Sequence, residues 1–122
     1  MQLTFSTEEY NYLARVSSRL LLARKGLSEK DMSKGTNAVV KELANKFSVH
    51  VQPAEAHTVP LKRTHIRFLQ EALTKSLQVI DERILPEYDS RPNKAELGEY
   101  IQRMQDTKTM LTGMIEKVNG AI

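Results

Sequence analysis

The sequence predicts an all-α fold: a helical bundle with two long C-terminal helices forming an antiparallel hairpin, plus shorter N-terminal helices. Three observations predict it. Ile66, Leu69, Leu73, Leu77, Ile80 and Ile84 recur at helical spacing, and Leu97, Ile101, Met104, Leu111, Ile115 and Val118 repeat the pattern. Between these stripes, Pro86-Glu87-Tyr88-Asp89-Ser90-Arg91-Pro92 is too polar and too broken to extend either helix. Capping signatures then mark where helices start, and each apolar stripe needs a partner to cover it.

The first helix starts at Ser6, with Glu9 three residues on to complete a capping box and with Phe5 and Tyr10 at the staple positions. Tyr10, Leu13, Ala14, Ser17, Leu20 and Leu21 form its apolar face. Arg24 and Lys25 suit the negative helix end and Gly26 the position after it, which predicts a helix over 7–25. Ser28 facing Asp31 predicts one or two further turns, stopped by Gly35. Thr36 then caps a helix over 37–47, which buries Val39, Val40, Leu43, Ala44 and Phe47.

Residues 48–59 lose the helical period. Val49 and Val51 alternate with polar neighbours, but a lone strand has no partner in sight, so the stretch reads as a linker. Pro60 fits the first turn of a long helix that ends near Leu85. Asn93 and Glu96 pair as cap and capping box for the last helix, which ends around Val118 before Asn119-Gly120. Residues 1–122 thus read as one domain: helices over 1–47, a linker over 48–59 and a long hairpin over 60–118.

Folding the chain back around Asp89 places Leu77 near Ile101, Leu73 near Met104 and Ile66 near Leu111, with Lys108 facing Glu71. The alternative is intermolecular. Positions 97, 104, 111 and 118 keep a strict seven-residue spacing, so Leu97, Ile101, Met104, Leu111, Ile115 and Val118 form either the hairpin seam or a coiled-coil homodimer seam.

Composition excludes several classes. Cysteine is absent, which rules out a disulfide framework and thiolate metal sites. No apolar run approaches the ~20 residues that span a bilayer, and the first residues do not read as a signal peptide, so a cytoplasmic protein without a membrane partner is expected. Residues 1–68 carry 11 basic and 6 acidic side chains, a balance of +5, whereas residues 69–122 carry 7 and 9, a balance of −2. An anionic partner would therefore meet the first half.

One cluster breaks a rule. Helix starts favour acidic residues, yet the third long segment opens with Lys62, Arg63, His65 and Arg67 and meets no acid before Glu71. These four residues form a candidate anion- or partner-binding site. Neutralisation of a solvated basic turn by Glu55 or Glu116 is the competing reading. Asn37, Lys41 and Lys46 would be the polar face of a helix-turn-helix over 19–47 and are candidate nucleic-acid contacts, although Val39-Val40 reads as core.

His50, His57 and His65 are spaced too widely across a linker for helical metal-ligand pairs, so no metal and no cofactor is expected. No nucleophile elbow or phosphate-cradling glycine loop occurs, and no enzyme is expected. Met104 reads as core, and Met110 and Met114 as the border of an interface. The expected function is a small helical protein–protein interaction module, acting as a regulator, adaptor or inhibitor of the kind phages encode. The alternative is a nucleic-acid-binding regulator that contacts its target through the basic first half and dimerises through the hairpin.

Overall fold

Leu3 and Phe5 alternate with polar neighbours, and that period-two pattern forms a strand ahead of the first helix. The computed structural model of the protein describes residues 1–47 and 56–121; Val49, His50, Val51 and Glu55 lie outside them. Strand β1 (Gln2–Ser6) pairs antiparallel with β2 (Ala56–Pro60), in the register Leu3 to Val59 and Phe5 to His57. Thr4 and Thr58 share a hydroxyl hydrogen bond of 2.9 Å across the ladder.

The protein is therefore mostly helical but not purely so, since a small two-stranded sheet is present. The expected linker gives up residues 56–59 to that sheet, and Pro60 ends the strand instead of opening a helix. Its missing N–H is tolerated because both strands of a two-stranded sheet are edges.

The chain forms two compact units, Met1–His65 and Ile66–Ile122. In the first, α1 (Thr7–Leu22) starts on the expected box: Ser6 N–H donates to Glu9 Oε1 at 2.8 Å, and Glu9 N–H donates to Ser6 Oγ at 3.1 Å. The helix ends three residues before the expected boundary, and Gly26 follows with φ 98°, a conformation suited to glycine. α2 (Glu29–Met32) is a single turn capped by Ser28.

α3 runs from Gly35 to Lys46, so Thr36 lies inside its first turn rather than capping it. Val40, Leu43 and Phe47 are buried. Phe47 packs edge-on to Phe5 at 5.7 Å and against Tyr10 at 5.4 Å. Tyr10 Oη donates to the Lys46 carbonyl. The staple residues thus meet a common third ring.

α4 (Arg63–Val79) begins three residues after Pro60. It does not end before Pro86. A π-helical turn over Ile80–Ile84, closed by Leu85 N–H to the Ile80 carbonyl, leads into α5 (Leu85–Ser90). Proline lacks the N–H an α-helix needs and its ring crowds the carbonyl four residues back; the wider turn carries the chain through that position. After the reversal, Lys94–Leu97 form a 3₁₀ turn and α6 spans Gly98–Asn119. Asn93 makes no side-chain cap, so the expected Asn93–Glu96 box does not form; Glu96 N–H bonds the Asn93 carbonyl instead.

Carrying the helix to Ser90 resets the pairing of the second unit. Lys108 Nζ meets Asp81 Oδ1 at 2.7 Å rather than Glu71, which pairs with Lys75 one turn away. Gln70 donates to Asn119 Oδ1 at 2.9 Å. Both cross-helix pairs are centred between Lys94 and Ala95, about five residues beyond Asp89. A shift of the turn doubles in the partner position, and Ile101 lines a cleft with Leu85 and Asp89.

The absence of native cysteine makes the register testable. In a chain carrying cysteines at 81 and 108, a short bismaleimide cross-linker should join the two within one molecule. Cysteines at 71 and 108 should stay unlinked, and the reverse result would restore the reversal at Asp89.

Candidate functional site

The start of α4 is built around His65 at the third helical position. Lys62, the residue before the helix, donates its backbone N–H to His65 Nδ1 at 3.0 Å. This is the bond a glutamate makes in a capping box, so a neutral ring nitrogen satisfies one helix-start N–H without an acidic residue. With Nδ1 accepting, the ring proton sits on Nε2, which donates to Glu42 Oε2 at 2.6 Å. A second ring proton would sit on Nδ1, against the Lys62 N–H.

His65 is fully buried, and its acceptor Glu42 reaches in from α3. The hydrogen bond from His65 holds the Glu42 carboxyl below the ordinary carboxylate range, opposed by desolvation and helped by the charges of Lys62 and Lys46. Lys62 Nζ stands 3.7 Å from Glu42 Oε1.

The structure thus brings two of the four cluster residues, Lys62 and His65, onto one carboxylate, and that carboxylate is Glu42 rather than Glu116. Arg63 and Arg67 are exposed and make no ion pair among the described residues. Glu42 was hard to find by reading, because it is 23 positions from His65 and sits beside the buried Leu43. The signal was a histidine where a capping box wants Glu or Gln.

The other candidates are scattered. Asn37 is engaged on both sides of its amide: Arg24 Nε donates to Oδ1 at 2.7 Å, and Nδ2 donates to the Asp31 carbonyl. Lys41 is exposed and Lys46 half-buried, so Asn37, Lys41 and Lys46 do not present one free polar face. On α6, Leu111 and Val118 are buried while Ile101, Met104 and Ile115 are half-buried, as is Leu97 in the 3₁₀ turn before it. Met114 is fully buried, a core residue rather than the border of an interface.

His57 stacks on Tyr10 at 4.4 Å. Among the described residues, no group of three His, Asp or Glu side chains is placed to hold a metal ion.

A second feature escaped the sequence reading. At the end of α1, Leu21, Leu22, Leu27 and Met32 line an open concavity of about 430 Å³ together with Arg24 and Lys25. Leu22 is 67 % exposed and Leu27 44 %. The run Leu20-Leu21-Leu22 was the available signal, since three consecutive residues span most of a helical turn and cannot all face one core.

No helix among the described residues is long and apolar enough to cross a membrane. Comparison of the chain with protein-family models, with curated proteins and with solved structures finds no match.

Proposed function

We propose that this chain is a small cytoplasmic helical interaction module that regulates, bridges or inhibits another protein by binding it. One observation supports the reading: Leu22 and Leu27 stand exposed around a shared concavity while larger apolar side chains of the same unit are buried. Contiguous exposed apolar surface rimmed by polar residues marks sites where partners bind. Leu22 and Leu27 are the residues that would carry the contact.

A second reading, a nucleic-acid-binding regulator, is favoured by a different observation. Arg15, Arg19, Arg24, Lys25, Lys30, Lys34 and Lys41 make no ion pair among the described residues, whereas in the second unit Lys75, Arg91, Lys94, Arg103 and Lys108 do, and Arg67 and Arg83 do not.

Two measurements separate the readings. Light-scattering chromatography, run alone and with random-sequence duplex DNA at low and moderate salt, should give a mass that DNA does not change. It also reports whether the chain self-associates, as a homodimer seam along Leu97–Val118 requires. A DNA-bound species that dissolves as salt rises would favour the second reading, because released counterions make such binding steeply salt-dependent. In parallel, affinity capture from nuclease-treated lysate should retain proteins on the wild-type chain that a Leu22→Glu/Leu27→Glu variant loses. Equal retention by both would sink the first reading.

A further inference from the structure

We infer that the concavity at the end of α1 receives an acidic amphipathic helix of a partner protein. The inference rests on the interaction reading above and names the chemistry of the partner.

The argument starts from what the concavity presents. Its apolar lining comes from Leu21, Leu22, Leu27 and Met32, contributed by the last turn of α1, the following turn and α2. None of these residues lies on the sheet, so no strand edge is offered to an extended peptide. Exposed leucines around a concavity suit side-chain insertion, as when one face of a helix lays its leucines into a groove. The volume, about 430 Å³, is within the range of clefts that hold ligands.

Charge selects the partner. Arg24 and Lys25 line the same concavity. The Arg24 guanidinium is held in place by neutral acceptors only: Nε bonds Asn37 Oδ1 at 2.7 Å and Nη1 bonds the Leu20 carbonyl at 2.8 Å. Neither bond neutralises it, so Arg24 is positioned but electrically uncompensated among the described residues. Lys25 is exposed and likewise makes no ion pair there. Over residues 19–34 the basic side chains are Arg19, Arg24, Lys25, Lys30 and Lys34, against Glu29 and Asp31 alone.

A fixed cation beside exposed leucines complements a helix that carries leucines on one face and carboxylates at its margin. Phosphate backbone would satisfy the cations but leave Leu22 and Leu27 uncovered, which is why an acidic peptide is favoured over nucleic acid.

The test uses the full chain, immobilised, and a displayed library of random peptides about four helical turns long. The expected consensus has leucines at positions i, i+3 or i+4 and i+7, with Glu or Asp flanking them. A synthetic peptide of that consensus, followed by fluorescence anisotropy, should bind the Leu22→Glu/Leu27→Glu variant about 100-fold more weakly or not at all, as expected for loss of a central apolar anchor. It should bind the Lys25→Glu variant about tenfold more weakly at low salt, with the gap closing as salt rises. Circular dichroism of each variant checks that helix content is kept, and Leu22→Ser/Leu27→Ser serves if the charged pair perturbs the fold.

A basic or charge-free consensus, or peptides that bind the leucine variants as well as the wild type, would overturn this partner while leaving the interaction reading standing. Enrichment of no peptide, with duplex DNA binding that survives the leucine substitutions, would overturn it in favour of a phosphate-bearing partner. The capture comparison above then decides whether the interaction reading falls with it.

Discussion

Replacing Phe47 with Ala should destabilise the protein by about 3–5 kcal/mol, the range for truncating a buried aromatic. Phe47 is 2 % exposed and is the shared neighbour of Phe5, 5.7 Å away, and Tyr10, 5.4 Å away. Phe5 comes from β1 and Tyr10 from the first turns of α1, so one ring joins the strand, the helix it leads into and the end of α3. Truncation removes the apolar area and both ring pairings at once, and leaves a cavity that two rigid rings cannot collapse to fill. For a domain whose whole stability is of order 5–15 kcal/mol, that is a large fraction. Urea unfolding followed by circular dichroism would report it. Phe47→Leu, which keeps most of the volume, should cost visibly less. A cost below about 1 kcal/mol for Phe47→Ala would show that the three rings are not the core of this unit.

The second large effect belongs to His65. His65→Ala should cost about 2–4 kcal/mol, since it removes a helix-start acceptor and empties a fully buried position. His65→Gln should recover part of this, because glutamine at the third helical position can accept the Lys62 N–H again. Glu42 supplies an independent readout. Its folded pKa lies below the ordinary value of 4.5, so its stabilising contribution is fully present above that value. The contribution is lost as pH falls through the lower folded value. Urea midpoints measured from neutral pH down through the carboxylate range should therefore show an acid limb in the wild type. Glu42→Gln should lack that component, and His65→Ala should lack most of it because the hydrogen bond causing the shift is gone. An unchanged acid limb in Glu42→Gln would mean that the His65–Glu42 bond carries no stability.

How much of this was legible depends on the range of the interaction. The Ser6–Glu9 box, the Ser28 cap, the positive φ of Gly26 and the burial of Leu13, Val40, Leu43 and Leu111 could be read directly, because each follows from residues within a turn or two. The β1–β2 pairing could not. Thr4 and Thr58 are 54 positions apart, and either strand alone is a short alternating stretch with nothing to announce its partner. The basic cluster at Lys62–Arg67 was visible as an anomaly, but its resolution was not. Glu42 engages two of its four residues, Lys62 and His65, from another helix, and a neutral His65 nitrogen does work expected of an acid. For Leu22 the triple-leucine run was a signal that one residue faces away from the core, but periodicity names which residues should be buried and not which are left uncovered, so neither Leu22 nor Leu27 could be placed from it.

The sequence by itself determined the helical character, the start of α1 and most of the core positions, since local hydrogen bonding and the 3.6-residue period act over neighbouring residues. Only the tertiary structure decided three things: the small sheet, the continuation of the helix through Pro86, and the partner of Lys108. A π turn is an alternative hydrogen-bonding choice open to many sequences, and packing selects it. Moving the reversal by about five residues then changed the facing residue by ten, from Glu71 to Asp81, because an antiparallel pair doubles every displacement of its turn.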